Sequence, residues 1–95
     1  MIDLDEKYVN FIKKAFDERL NNYKLYLFGS RAKGRARKYS DIDLAVDSPE
    51  LTDKIKSDLE IYFTDSTIPY EIDIVDLNNI SEKFKNIISD DLVEI

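Results

Sequence analysis

Residues 24–46 read KLYLFGSRAKGRARKYSDIDLAV, and this stretch decides the fold. Its first part, residues 24–28, is β-prone and almost entirely apolar, as expected of a strand buried on both faces. Its last part, residues 41–46, alternates carboxylates and alanine with aliphatic side chains, which is typical of a strand with one polar and one buried face. A short loop joins the two strands, so we expect them to be antiparallel.

Helical spacing of apolar residues marks three further segments. The first helix is predicted over residues 5–21, with Asp3 as its capping residue. The second is predicted to start at Ser48 and Pro49, because a capping hydroxyl followed by proline is a good helix start. The last helix is predicted over residues 81–89.

Two more strands complete the predicted sheet. Residues 70–76 alternate like a third strand, and the tail at residues 92–95 suits a short edge strand. A helix joins the second and third strands, so these two should be parallel with a right-handed crossover. We therefore expect one domain over residues 1–95 with an α+β or α/β fold. Its small mixed sheet of three main strands and a fourth short edge strand has helices packed on one face.

The composition restricts the chemistry. The 95 residues include no Cys and no His, which excludes disulfides, thiolate metal sites and every mechanism with a Cys nucleophile or a His base. Catalysis would have to use carboxylates, hydroxyls, Lys, Arg or a bound metal. An all-oxygen set of ligands favours Mg²⁺ or Mn²⁺.

Charge and hydropathy suggest where the protein works and what it binds. The acidic start lacks the apolar stretch of a signal peptide, and no apolar run approaches the roughly 20 residues of a membrane span, so we expect a cytoplasmic protein with no membrane contact. The net charge is −6, which argues against general nucleic-acid binding. One basic island within residues 31–40 suggests a local anionic ligand, although a solvated loop would look the same. It consists of Arg31, Lys33, Arg35, Arg37 and Lys38.

Three short motifs carry candidate chemistry. Gly29 would let a phosphate approach the backbone, and Ser30 would supply a hydroxyl and an N–H group at the start of a short helical turn. Asp41 and Asp43 share one face of a strand, about 6–7 Å apart. Asp73 is predicted to face the same way on the neighbouring strand. Each motif alone has a plain explanation, as a turn or as a polar strand face.

Together the motifs describe a site for a nucleoside triphosphate and two Mg²⁺ ions, or Mn²⁺ in their place. Three converging carboxylates repel one another unless cations lie between them. Gly29 and Ser30, the phosphate seat, would hold the phosphates. Arg31 and Lys33 are the nearest members of the basic island, and we expect them to contribute to triphosphate binding.

The same residues carry a family resemblance. Gly29-Ser30, ten residues and then Asp-Ile-Asp resemble the signature of the DNA polymerase beta-like nucleotidyltransferase superfamily. The longer string GSRAKGRARKYSDIDLAV is similar to its minimal branch, the MNT antitoxins that are paired with HEPN-domain toxins. YEIDIVDL resembles the strand with that family's third carboxylate, which falls on Asp73. The resemblance covers about residues 23–80.

The resemblance implies a palm-like sheet and Mg²⁺-dependent transfer of a nucleoside monophosphate. It implies that Asp41 and Asp43 bind both metals, and that Asp73 binds the catalytic metal and helps to take the acceptor's proton. Gly29 and Ser30 would hold the outer phosphates. Larger members carry an extra helical domain that grips the base and the acceptor, so here a partner protein is expected to supply these contacts.

Three functional hypotheses remain open at this point. The first is an antitoxin that transfers AMP from ATP to a hydroxyl, a tyrosine in particular, of a HEPN-type toxin. The second is a binding module that neutralises its partner by contact and uses the nucleotide site weakly. The third is a transferase acting on a small molecule. The three facing carboxylates favour an enzyme, while the nucleobase, the acceptor and any homo- or hetero-oligomer stay open.

Overall fold

The computed structural model describes residues 2–38 and 40–95, which contain three helices and four strands. The helices are α1 (Glu6–Asp17), α2 (Asp53–Asp65) and α3 (Glu82–Ser89). The strands are β1 (Lys24–Phe28), β2 (Ile42–Asp47), β3 (Ile72–Asp76) and β4 (Val93–Glu94). Within these described ranges, every helix is too short or too polar to cross a membrane.

The strands form one mixed sheet in the order β3-β2-β1-β4. β1 is antiparallel to β2 and to β4, whereas β2 and β3 run parallel. β2 and β3 are parallel because α2 connects them: the helix returns the chain to the end of the sheet where β2 begins, and β3 starts there. The predicted mixed sheet with a short fourth edge strand is therefore confirmed.

One face of the sheet is covered by α1 and α2. Aliphatic side chains of β1 and β2 point to this face at every second position and are buried, as period-2 alternation requires. Full burial of a large apolar side chain contributes about 1.5–3 kcal/mol, so this layer dominates the stability of the fold. The main buried contributors are Ile12, Phe16, Leu25, Leu27, Leu44, Val46, Leu59 and Phe63.

The expectation that the helices share one face holds for α1 and α2 but not for α3. Ile88 of α3 packs with Leu77 and with Ala45, whose side chain leaves β2 on the face opposite to Leu44. Tyr26 and Phe28 of β1 pack against the same small cluster. The small side chain of Ala45 leaves room for α3 there, and the sequence pattern of β2 alone does not reveal this.

The start of α2 corrects a prediction. Thr52, and not Ser48, caps the helix, since its hydroxyl accepts a hydrogen bond from an N–H group of the first turn. The Ser48 hydroxyl instead donates to the Asn22 carbonyl at 2.6 Å and accepts from the Glu50 N–H at 3.1 Å. Ser48 and Pro49 therefore form a turn that ties two loops together before the helix begins.

The first helix is also shorter than predicted. Asp5 caps it in place of Asp3, and it ends at Asp17. Asp3 has a different role, because its carboxylate accepts a hydrogen bond from the Ala36 N–H at 3.0 Å. The N-terminal segment thus braces the basic loop, a contact across 33 residues that local capping patterns cannot indicate.

Candidate functional site

Two of the three candidate carboxylates lie side by side on parallel strands. Asp43 of β2 and Asp73 of β3 are paired in register, so their Cα atoms are about one strand spacing, roughly 4.8 Å, apart. Paired residues on adjacent strands point to the same face. Asp41 directly precedes β2 and is exposed. The structure therefore places Asp43 beside Asp73, with Asp41 just before the same strand.

Burial and neighbouring negative charges both act on the carboxyl group of Asp43. Its pKa is raised, first by burial of the half-buried carboxyl and then by the negative charges of Asp73 and Asp41. Burial and like charges both disfavour an ionised carboxylate. A positive group placed between these carboxylates would favour the ionised form of Asp43 again.

Carboxylate oxygens are suitable ligands for Mg²⁺, although the three carboxylates do not form a complete metal site in this arrangement. Among residues 2–38 and 40–95, no group of three carboxylates is close enough to hold an ion as it stands. The backbone register, however, fixes the bases of Asp43 and Asp73 side by side. Their oxygen ligands are the type that Mg²⁺ and Mn²⁺ prefer. Metal binding by Asp41, Asp43 and Asp73 stays a prediction.

Gly29 lies close to the carboxylate of Asp43. Its φ is +76°, a left-handed conformation that favours glycine. A Cβ atom at this position would lie 2.5 Å from Oδ2 of Asp43. The contact arises because Phe28 is paired with Asp43 across β1 and β2, which places the chain turn at Gly29 over the carboxylate. The turn that is predicted to bind phosphate therefore lies beside the carboxylate of Asp43.

The rest of the phosphate seat is a tight turn after β1. The Lys33 N–H donates to the Gly29 carbonyl at 3.3 Å, and the Arg35 N–H donates to the Ser30 carbonyl at 2.9 Å. The short helical turn expected after Ser30 is present as a run of turn residues, with one hydrogen bond of the helical type between Lys33 and Gly29. Lys33 Nζ lies 3.1 Å from Asp91, in an ion pair that is 44% exposed on the lysine side and easily exchanged for another anion.

Arg31 has partners that the sequence did not suggest. Its side chain is only 5% exposed. Nε and Nη2 donate to the Ser40 carbonyl at 3.0 and 2.8 Å, and Nη1 donates to the Asp3 carbonyl at 2.7 Å. The guanidinium carbon also lies 4.3 Å from the centroid of the Tyr70 ring. These contacts lend no support to the predicted phosphate role of Arg31, which stays a prediction.

No pattern in the sequence indicates which residues surround the Arg31 guanidinium. Two of them act through carbonyl groups, which every residue has, and Tyr70 is 39 positions away along the chain. A buried arginine among five basic residues looks like the other four until the fold is known. Its burial beside the phosphate seat is what distinguishes it.

Comparisons with known proteins agree with this geometry. Residues 9–95 match the family described as the nucleotidyltransferase domain. Among curated relatives, the probable protein adenylyltransferase MntA of Haemophilus influenzae is 36% identical over 88 residues. This alignment covers 92% of the chain and 77% of the relative.

Solved structures share the fold. A crystal structure of a toxin–antitoxin with AMP-PNP superposes with a TM-score of 0.76 and 26% identity, over 90% of this chain and 69% of that chain. A structure of a tri-AMPylated Shewanella oneidensis HEPN toxin in complex with an MNT antitoxin gives a TM-score of 0.74, over 96% of this chain and 71% of that chain. Its identity of 22% shows the fold alone.

Proposed function

The chain belongs to the nucleotidyltransferase domain family, and from this membership we propose that it transfers AMP from ATP to a hydroxyl group of a partner protein. The resemblance seen in residues 29–46 is thereby confirmed at the level of the family, and the chain is a nucleotidyltransferase. The observation that carries the finer proposal is the register that sets Asp43 beside Asp73 and beneath Gly29. The adenylyltransferase name of the curated relative supports AMP as the transferred group.

Each of the three carboxylates would have its own role in the reaction. Nucleotidyltransferases of this family generally use a divalent metal. Asp41 and Asp43 would hold two Mg²⁺ ions, or Mn²⁺, and Asp73 would complete the shell of one of them. When bound, such ions offset phosphate charge and lower the pKa of an attacking hydroxyl. Asp73 is exposed and would accept the proton of the acceptor hydroxyl, whose oxygen bonds to the α-phosphorus as pyrophosphate leaves.

The phosphate seat would position the leaving group. The open backbone at Gly29 allows close approach, and the Ser30 hydroxyl makes no hydrogen bond to another described residue, so it is available to a phosphate oxygen. Lys33 could exchange Asp91 for phosphate at little cost, because the ion pair is exposed. The predicted contact between Arg31 and phosphate stays a prediction, because Nε, Nη1 and Nη2 of Arg31 already donate to the Ser40 and Asp3 carbonyl groups.

The partner we propose is a HEPN-type toxin, modified on a tyrosine, with this chain as its antitoxin. Support comes from the similarity of residues 29–46 to antitoxins of that pairing and from the toxin–antitoxin structure with AMP-PNP. In this proposal, the toxin itself orients the acceptor hydroxyl towards the nucleotide.

Label transfer tests this function. The purified chain would be incubated with its co-purified toxin, Mg²⁺ and ATP labelled on either the α- or the γ-phosphate. We expect label on the toxin from α-labelled ATP only, with a mass gain of one AMP located on a tyrosine. The Asp43→Asn variant should transfer nothing. If that variant neutralises the toxin as well as the wild type does, the chain acts by contact, and the catalytic proposal is wrong.

A further inference from the structure

We propose that Arg31 is a positioning residue, which holds the phosphate seat and the carboxylates in one arrangement without touching the nucleotide. The proposal rests in part on the proposed metal site, since it concerns where Asp41 and Asp43 are held. Arg31 follows Ser30 directly in the chain. Its partners Ser40 and Tyr70 lie just upstream of Asp41 and Asp73, so one guanidinium connects all three pieces of the site.

The contact with Ser40 fixes the beginning of β2. Nε and Nη2 of Arg31 both donate to its carbonyl oxygen, at 3.0 and 2.8 Å. Two donors from one rigid fork define both the position and the orientation of this peptide group. The next residue, Asp41, is exposed and lies just outside the sheet, where strand pairing does not fix it. Ser40 also exchanges hydrogen bonds of 3.1 and 2.9 Å with the main chain of Arg37, but Arg37 is exposed in the same loop. The contact that ties Ser40 to a buried group is therefore the one with Arg31.

The remaining contacts hold the guanidinium itself. Nη1 donates to the Asp3 carbonyl at 2.7 Å, and the Asp3 N–H donates back to the Arg31 carbonyl at 2.7 Å. The guanidinium carbon lies over the Tyr70 ring, 4.3 Å from its centroid, and this ring packs edge-on against Tyr8. A cation on an aromatic face is favourable, more so when water is excluded as it is here. The donors thus bind carbonyl oxygens on two segments while the cation lies on the aromatic ring.

This arrangement requires arginine rather than any cation. A lysine would keep the charge but offers a single ammonium group that cannot fork onto one carbonyl and cannot present a planar face to Tyr70. A phosphate-binding role is less strict, because a lysine also binds phosphate as a point charge. The Arg31→Lys substitution therefore separates positioning from direct phosphate contact.

Arg19 provides a matched control. Its Nη1 donates to the Ala15 carbonyl at 2.9 Å, and its guanidinium carbon lies 4.8 Å from the Tyr62 ring centroid. These are the same kinds of contact, but Arg19 precedes β1 whereas Arg31 follows it, so the two lie at opposite ends of that strand. Arg19→Lys should lower stability in a similar way without reaching the site.

The test measures Mn²⁺ affinity by titration calorimetry on the whole chain without nucleotide, for wild type, Arg31→Lys and Arg19→Lys. Loss of a residue that orients metal ligands typically weakens metal binding about 10–100-fold, and we expect this for Arg31→Lys alone. Hydrogen exchange at the Ile42 amide, which donates to the Glu71 carbonyl at 2.8 Å, should also accelerate only in Arg31→Lys. In AMP transfer, kcat should fall more than KM for ATP rises.

The outcomes separate the possible errors. If Arg31→Lys keeps the Mn²⁺ affinity and the Ile42 exchange rate of the wild type, the positioning role is wrong. If the variant differs only in a higher KM for ATP, Arg31 contacts the phosphates. A wild type that binds no Mn²⁺ would refute the proposed metal site, and Ile42 exchange then decides the positioning role by itself. If Arg31→Lys does not fold, Tyr70→Leu is measured against Tyr62→Leu, with weaker effects of the same kind expected only at Tyr70.

Discussion

Replacing Gly29 by alanine tests the contact between the phosphate seat and Asp43. At φ +76° a side chain costs about 1–2 kcal/mol relative to glycine. The new Cβ would lie 2.5 Å from Asp43 Oδ2, whereas ordinary contact begins at 3.4 Å, so the carboxylate must retreat by about 0.9 Å. An off-rotamer side chain costs about 0.5–1.5 kcal/mol more. We therefore expect the free energy of unfolding to fall by about 1.5–3.5 kcal/mol.

The expected loss of activity exceeds this loss of stability. A misplacement of about 1 Å in a reacting arrangement can reduce the rate about 100-fold. Urea unfolding would give the free energy of unfolding. The rate of AMP transfer would be measured at urea concentrations well below the unfolding midpoint. Because the protein stays folded under the second condition, a lower rate reports the displaced Asp43 carboxylate rather than unfolded chain.

Gly34→Ala is the matched control. Gly34 has φ +69° but is exposed in the basic loop, so its substitution should cost only the backbone term of about 1–2 kcal/mol. Alanine also restricts the unfolded chain equally at both positions, and this contribution cancels in the comparison. If Gly29→Ala and Gly34→Ala lose the same stability and both keep full transfer, the close approach of Gly29 to Asp43 has no functional meaning.

Three further outcomes are expected. Without metal, Asp43→Asn should raise the free energy of unfolding by up to about 1 kcal/mol in urea titrations, because one of three neighbouring charges is removed from a half-exposed site; unfolding of the variant would instead make the carboxylate structural. Burial and the hydrogen bond to Asp17 raise the pKa of Tyr23, so its stabilisation is present below about pH 10 and is lost as the pH rises further. Urea unfolding from pH 9 to 11.5 should therefore show a shallower alkaline decline for Tyr23→Phe than for wild type, and identical slopes would contradict this. Arg37→Ala should leave ATP affinity unchanged while slowing association with the toxin at low salt, as measured by stopped-flow mixing; equal rates would place the exposed Arg37 outside the interface.

The sequence predicts those features that depend on local periodicity or on strand register. Alternation in β2 and β3 was enough to place Asp43 beside Asp73, because parallel pairing leaves few registers that bury Leu44 and Ile74 together. The predicted start of α2 is wrong because Ser48 has a long-range partner, the Asn22 carbonyl, which competes with its capping role.

The environment of Arg31 was beyond prediction for a related reason. Main-chain carbonyl groups bind it, and their position depends on how the loop folds rather than on which residues it contains. The same holds for α3, whose place on the second face follows from the space above Ala45. Contacts made by the backbone, or permitted by small side chains, leave no trace in a pattern of hydrophobic and polar residues.

The position of β3 at the rim of the sheet has a consequence for solubility. An edge strand exposes unpaired N–H and C=O groups and can pair with the same strand of another molecule. Here Glu71, Asp73 and Asp76 bring negative charge along that strand, so two copies approaching edge to edge would repel each other. Asp73 thus opposes aggregation, independently of the catalytic role proposed for it. An Asp73→Asn protein prepared for study of the bound complex should therefore aggregate at lower concentration than the wild type.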